Sequence, residues 1–154
     1  MKNILQGAYD LHIHTAPDVI SRKYDDRQTA EMAQKAGMVG IVIKNHYFET
    51  ASRAALLRKQ FPSLVIAGGI TLNRSVGGIN AVAVEQAGKM GAKMLWFPTM
   101  DSLAFQAFKQ RENPNRNLDG LLTVLDETNN LSKAALDVLD VAAKYQMVVG
   151  TGHG

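Results

Sequence analysis

Between residues 8 and 150 the chain alternates apolar runs of strand length with segments of helical periodicity, and it does so five times. Strands are expected at 8–14, 39–44, 64–70, 93–97 and 147–150. Helices are expected at 27–36, 50–60, 79–89, 102–111 and 132–145; the last places Ala135, Leu136, Leu139, Ala142 and Ala143 on one face. The first helix has Asp25 or Asp26 as N-cap and Gly37 as its stop, and residues 112–117 read as a loop. Strand–helix repetition of this kind builds a parallel sheet with helical crossovers. The fold class is therefore α/β, either an open doubly wound sheet or a TIM-type (β/α) barrel. In both, chemistry collects at the carboxyl ends of the strands. A complete barrel takes about 250 residues, whereas this sequence has 154. The expectation is a single (β/α) domain over 1–154, the N-terminal part of a longer barrel with about five βα units. A further C-terminal segment or a homo-oligomer would complete it.

Composition narrows the function. The apolar share of 46% and charged share of 20% are those of a globular protein. A net charge of +3, with Lys and Arg scattered, gives no nucleic-acid face. No run reaches the roughly 20 apolar residues of a membrane span, and the N-terminus lacks the apolar core of a signal peptide. No membrane partner and a cytoplasmic location follow as expectations. The absence of cysteine excludes disulfides and thiolate metal sites, so any metal must bind through nitrogen and oxygen.

All four histidines fall at or just beyond strand ends. His12 and His14 are two residues apart in an extended strand, so both rings leave one face and can grip one ion. His46 follows the second strand and His153 the fifth. By the same alternation Asp10 would share their face and orient a ring from behind. Neutral imidazoles with oxygen donors suit Zn, Mn or Fe, one to three divalent ions. Bound ions would lower the pKa of a water and polarise a carbonyl or phosphoryl oxygen, and a carboxylate would carry the proton.

Other strand-end residues complete the candidate site. Lys44, in an apolar strand, needs an anionic partner: a ligand carboxylate or phosphate, a carbamate that bridges metals, or a salt bridge to Asp10 or Asp18. Asp18, beyond Pro17, and Asp101, after the fourth strand, are candidate catalytic carboxylates alongside Lys44. Asn73 and Arg74 are candidate substrate-binding residues, with Arg74 and the backbone N–H groups of Gly77-Gly78 suited to an anion. The glycines of Gly150-Thr151-Gly152 would let backbone approach a ligand.

Asp10-Leu11-His12-Ile13-His14-Thr15, the helix from Thr29 to Gly37, and Ile41-Val42-Ile43-Lys44-Asn45-His46 together resemble the start of amidohydrolase-related barrels. They are especially similar to the polymerase-and-histidinol-phosphatase (PHP) superfamily, over roughly the first half of the chain. The Lys-Asn-His after strand two and Thr-Gly-His after a later strand also resemble an amidohydrolase-like family. The resemblance implies a (β/α) barrel with His12, His14, His46 and His153 as metal ligands. Asn45 stands where the PHP pattern has Asp, and Gly69-Ile70-Thr71 stands where it has a Glu ligand. The function these readings predict is a metal-dependent hydrolase acting on an amide, ester or phosphoester small-molecule substrate. The competing expectation is a non-catalytic α/β protein that binds an anionic small molecule or partner.

Overall fold

The computed structural model describes residues 3–153. Strands β1 (Tyr9–His14), β2 (Gly40–Lys44), β3 (Val65–Thr71), β4 (Met94–Trp96) and β5 (Val148–Gly150) form one all-parallel sheet in that order. Helices α1 (Asp26–Lys35), α2 (Ala51–Arg58), α3 (Ala81–Lys89), α4 (Leu103–Gln110) and α5 (Lys133–Lys144) fill the connections. A doubly wound sheet reverses its strand order at a switch point; here the order counts steadily upward and the sheet curls into a half-barrel.

Local chemistry explains the helix starts. Asp25 accepts the N–H of Gln28 at 2.7 Å, and the Gln28 side chain accepts the N–H of Asp25 at 3.0 Å, which makes a capping box for α1. Asn80, Ser102 and Ser132 cap α3, α4 and α5 through their side-chain oxygens. Gly37, at φ +73°, takes the left-handed turn after α1. Among the described residues no helix is long and apolar enough to cross a membrane.

Helices cover one face of the sheet. Ile41, Ile43 and Ile66 pack with Ala30, Ala33, Ala54 and Leu57 of α1 and α2. Ile70 and Leu95 pack with Val84, Ala87, Val138 and Ala142 of α3 and α5. The opposite, concave face carries a smaller cluster of Val42, Ala67 and Trp96, with Met94 against it. Strands covered on both faces need near-continuous apolar sequence, as β2 and β3 have.

The concave face departs from simple alternation in two places. In β1, Asp10 aligns with Ile41 and Ile13 with Ile43, so three residue steps face two. That extra residue is a β-bulge, a device that re-aims side chains. The Asp10 carboxylate accepts the backbone N–H of His12 at 2.9 Å inside it. Asp10 therefore shapes the backbone beneath His12 and does not orient an imidazole by sharing its face, as strict alternation predicts. The second departure surrounds Trp96. A Cβ on Gly69 would lie 2.8 Å from the indole, and one on Gly150 2.7 Å. Glycine on both neighbouring strands lets the ring lie across the concave face. Gly150 thus makes room for Trp96, where the sequence suggested room for a ligand.

Candidate functional site

The carboxyl ends of the strands gather the four histidines. His12 and His14 meet through their Nε2 atoms at 3.3 Å. The His14 ring stacks on His46 with centroids 4.7 Å apart, and His46 meets His153 edge-on at 6.0 Å. His12 lies 6.0 Å from the Trp96 ring, and Phe105 closes over His153 at 4.8 Å. β1 and β2 deliver His14 and Lys44 as register partners. His153 arrives because Gly152, at φ +77°, presses against the Phe97 and Pro98 carbonyls and the His153 N–H donates to Pro98 O at 3.0 Å.

A buried polar network holds His46. The Asn73 amide N–H groups donate to His46 O and to Thr99 Oγ1, both at 2.8 Å, and its carbonyl accepts from the N–H of Thr99 at 2.8 Å and of Asp101 at 3.3 Å. Thr99 Oγ1 lies 2.8 Å from His46 Nδ1. Asn73 is 1% exposed and fully engaged, so it positions His46 and the β4 loop and keeps no group for a substrate. Arg74 is exposed, with its guanidinium beside Gly120, and its N–H donates to Asp101 Oδ2 at 2.8 Å. The N–H groups of Gly77 and Gly78 donate to Arg74 O and Asn73 O. They close their own turn and hold no anion.

Asp18 is engaged as well. Its carboxylate takes the Nε–H of Arg22 at 2.6 Å, and an Arg22 Nη lies 3.4 Å from His14 Nδ1. Burial alone would raise the Asp18 carboxyl, but the hydrogen bonds from Arg22 and the Ile20 N–H hold it below its usual range. Behind it, Arg53 on α2 grips Asp26 at 2.7 and 2.8 Å and Thr15 Oγ1 at 3.0 Å, fixing the end of β1 to both helices.

Lys44 is 2% exposed. Its Nζ sits 4.8 Å above the Trp96 ring, and among the described residues it joins no ion pair: Asp18 pairs with Arg22, and Asp10 bonds the His12 backbone. Burial pushes its pKa down to about 8. Burial also pushes His14 and His46 down to about 4, helped by the charges of Arg22 and Lys44 and by neighbouring rings. His12 and His153 are lowered by burial first and then by Lys44. The four rings are thus neutral near pH 7.

The fit to a metal is partial and specific. Two ligands of a tetrahedral zinc at about 2.0–2.1 Å stand ~3.3 Å apart, the separation of the His12 and His14 Nε2 atoms. His153 Nδ1 is buried with no hydrogen-bond partner, an atom ready to bind. Among the described residues, however, no three His, Asp or Glu side chains converge as a finished cage.

Sequence reasoning missed Arg22, Thr99 and Trp96. Arg22 and Thr99 reach histidines from loops with no pattern. Trp96 had a signal, since Gly69 and Gly150 on the flanking strands announce a large ring between them. Comparison with known proteins adds one finding. No curated protein and no solved structure matches the chain. A model of a family of unknown function, DUF6282, matches residues 7–154, and the chain belongs to that family.

Proposed function

We propose that the protein is a metal-dependent hydrolase of amide, ester or phosphoester bonds, built on part of a TIM-type (β/α) barrel akin to the amidohydrolase and PHP superfamilies. The observation that carries the reading is the His12–His14 pair, whose Nε2 atoms stand 3.3 Å apart at the end of β1. Upward strand order and a cluster at the carboxyl ends of the strands are the setting in which such barrels do chemistry.

His12 and His14 would hold the ion, with His46 and His153 as the flanking donors. The ion would supply an acidified water and polarise the scissile carbonyl or phosphoryl oxygen. Thr99 Oγ1, 2.8 Å from His46 Nδ1, can accept an Nδ1–H, which would leave the Nε2 lone pair to the cleft. Among the described residues the Asp101 carboxylate accepts the Arg74 N–H through Oδ2, which leaves Oδ1 free to take a proton, whereas Asp18 is tied to Arg22. Trp96 and Phe105 exclude water from the floor and one side.

Elemental analysis of protein purified without added metal tests the reading. About one to three equivalents of zinc, manganese or iron are expected. His12→Ala and His46→Ala should each lose most of it while circular dichroism shows the fold retained. Full metal content in both folded variants would overturn the ligand assignment.

A further inference from the structure

We propose that the cleft recognises an oxyanion on its ligand, a carboxylate or a phosphate, through Lys44 Nζ and Thr71 Oγ1 beside the Trp96 ring. The inference rests on the histidine cleft being the place of the substrate, and it makes that substrate anionic.

Two polar groups without protein partners neighbour Trp96. Lys44 is 2% exposed, its Nζ lies 4.8 Å over the Trp96 ring, and among the described residues it joins no ion pair. Thr71 is 1% exposed, and its Oγ1 has no hydrogen-bond partner. Thr71 pairs with Trp96 in the β3–β4 register, so both side chains leave the same concave face, and that face is the one Lys44 covers. A buried hydroxyl left unbonded and a lysine drawn into the interior without an ion pair are each costly. Their sharing of Trp96 as a neighbour marks a place that a ligand completes.

Charge fixes the ligand's sign. Lysine offers three donors and no acceptor, and a threonine hydroxyl donates as readily as it accepts. Of the nearby carboxylates Asp18 pairs with Arg22, while Asp10 and Asp101 accept backbone N–H groups, and among the described residues none forms an ion pair with Lys44. Lys44 brings an unpaired positive charge to the cleft, which an oxyanion would neutralise while accepting from both groups.

Titration calorimetry of inorganic phosphate and of acetate into the full chain tests this, with protein as isolated and after chelation. The variants are Lys44→Met and Thr71→Val, each close to isosteric. One or both anions should bind, and the stronger one identifies the group. Lys44→Met should weaken binding at least tenfold and Thr71→Val several-fold, before and after chelation. Thr71→Val removes an unbonded hydroxyl and keeps the fold, so it decides the matter even if Lys44→Met fails to fold. Failure of both anions to bind overturns the proposal, as does unchanged affinity in folded variants. Binding that vanishes on chelation yet survives both substitutions places the anion on a metal; that result overturns the proposal and leaves the hydrolase reading standing. Lys44-dependent binding in a protein that never takes up metal does the reverse.

Discussion

Replacing Lys44 with methionine is expected to stabilise the ligand-free protein at neutral pH. The side chain is 2% exposed, and burial pushes its pKa from 10.5 to about 8. At about 1.4 kcal/mol per pH unit, keeping the proton in the folded state costs about 3 kcal/mol. Methionine retains the unbranched stem and brings no charge, which removes that cost. The variant loses the cation–π contact at 4.8 Å over Trp96, about 1–2 kcal/mol in a desolvated setting. The balance favours Lys44→Met by about 1–2 kcal/mol, or roughly 2–8 °C in Tm for a chain of this size. The pH dependence is diagnostic. Between about 8 and 10.5 the unfolded chain holds the lysine proton while the folded protein has released it, so wild-type stability rises with pH across that window. The variant's lead should therefore close as the solution is made alkaline. Scanning calorimetry of both proteins, at neutral pH and near pH 10.5, reads the difference directly. A variant less stable at neutral pH, or a lead that does not change with pH, would show that Lys44 already has a neutralising partner.

Two further outcomes follow from the same cluster. Because burial lowers His14 and His46 to about 4 when folded, against 6.5 for a free imidazole, the unfolded chain takes up their protons first. Stability present above pH 6.5 should fall as pH drops towards 4, and denaturant midpoints that stay flat over that range would refute the neutral-ring assignment. Asn73→Ala would strip the His46 carbonyl and the Thr99 and Asp101 N–H groups of their buried partner. A loss of about 3 kcal/mol is expected in urea unfolding, and a loss under about 1 kcal/mol would mean that these groups find water instead.

What the sequence made legible was whatever depends on period and local rules. The five strands and five helices stand within two residues of their expected ends, because alternation of apolar runs and N-cap chemistry are local signals. The choice between a doubly wound sheet and a curled one was not local, since it rests on which strands pair, and only the β1-to-β5 order decides it. The histidine cluster was legible for the same reason as the strands, because position at a strand's carboxyl end fixes the side of the sheet. Asp10 was misread because one bulged residue in β1 breaks the two-residue period on which the reading depended. Asn73 was misread because its neighbours lie 26 to 28 residues away in sequence. A polar residue at a strand end looks the same whether it faces a ligand or ties two loops together. Only the count of its satisfied hydrogen bonds separates the two.

The same count bears on how the histidine pair would accept an ion. Arginine has only donors, so the Arg22 Nη at 3.4 Å from His14 Nδ1 faces a lone pair there. The neutral His14 ring then carries its proton on Nε2, directed at His12 Nε2 3.3 Å away. One proton thus closes the gap that an ion would span. Ligation through both Nε2 atoms requires that proton to leave and places N–H on His14 Nδ1, against the donors of Arg22. Arg22 must then turn from His14, while its Nε contact to Asp18 at 2.6 Å gives it a place to remain. His46 meets no such conflict, because Thr99 Oγ1 can accept where Arg22 cannot. Metal affinity in this cleft would therefore be set by the competition between Arg22 and the ion for one ring of the pair, as much as by the number of histidines that surround it.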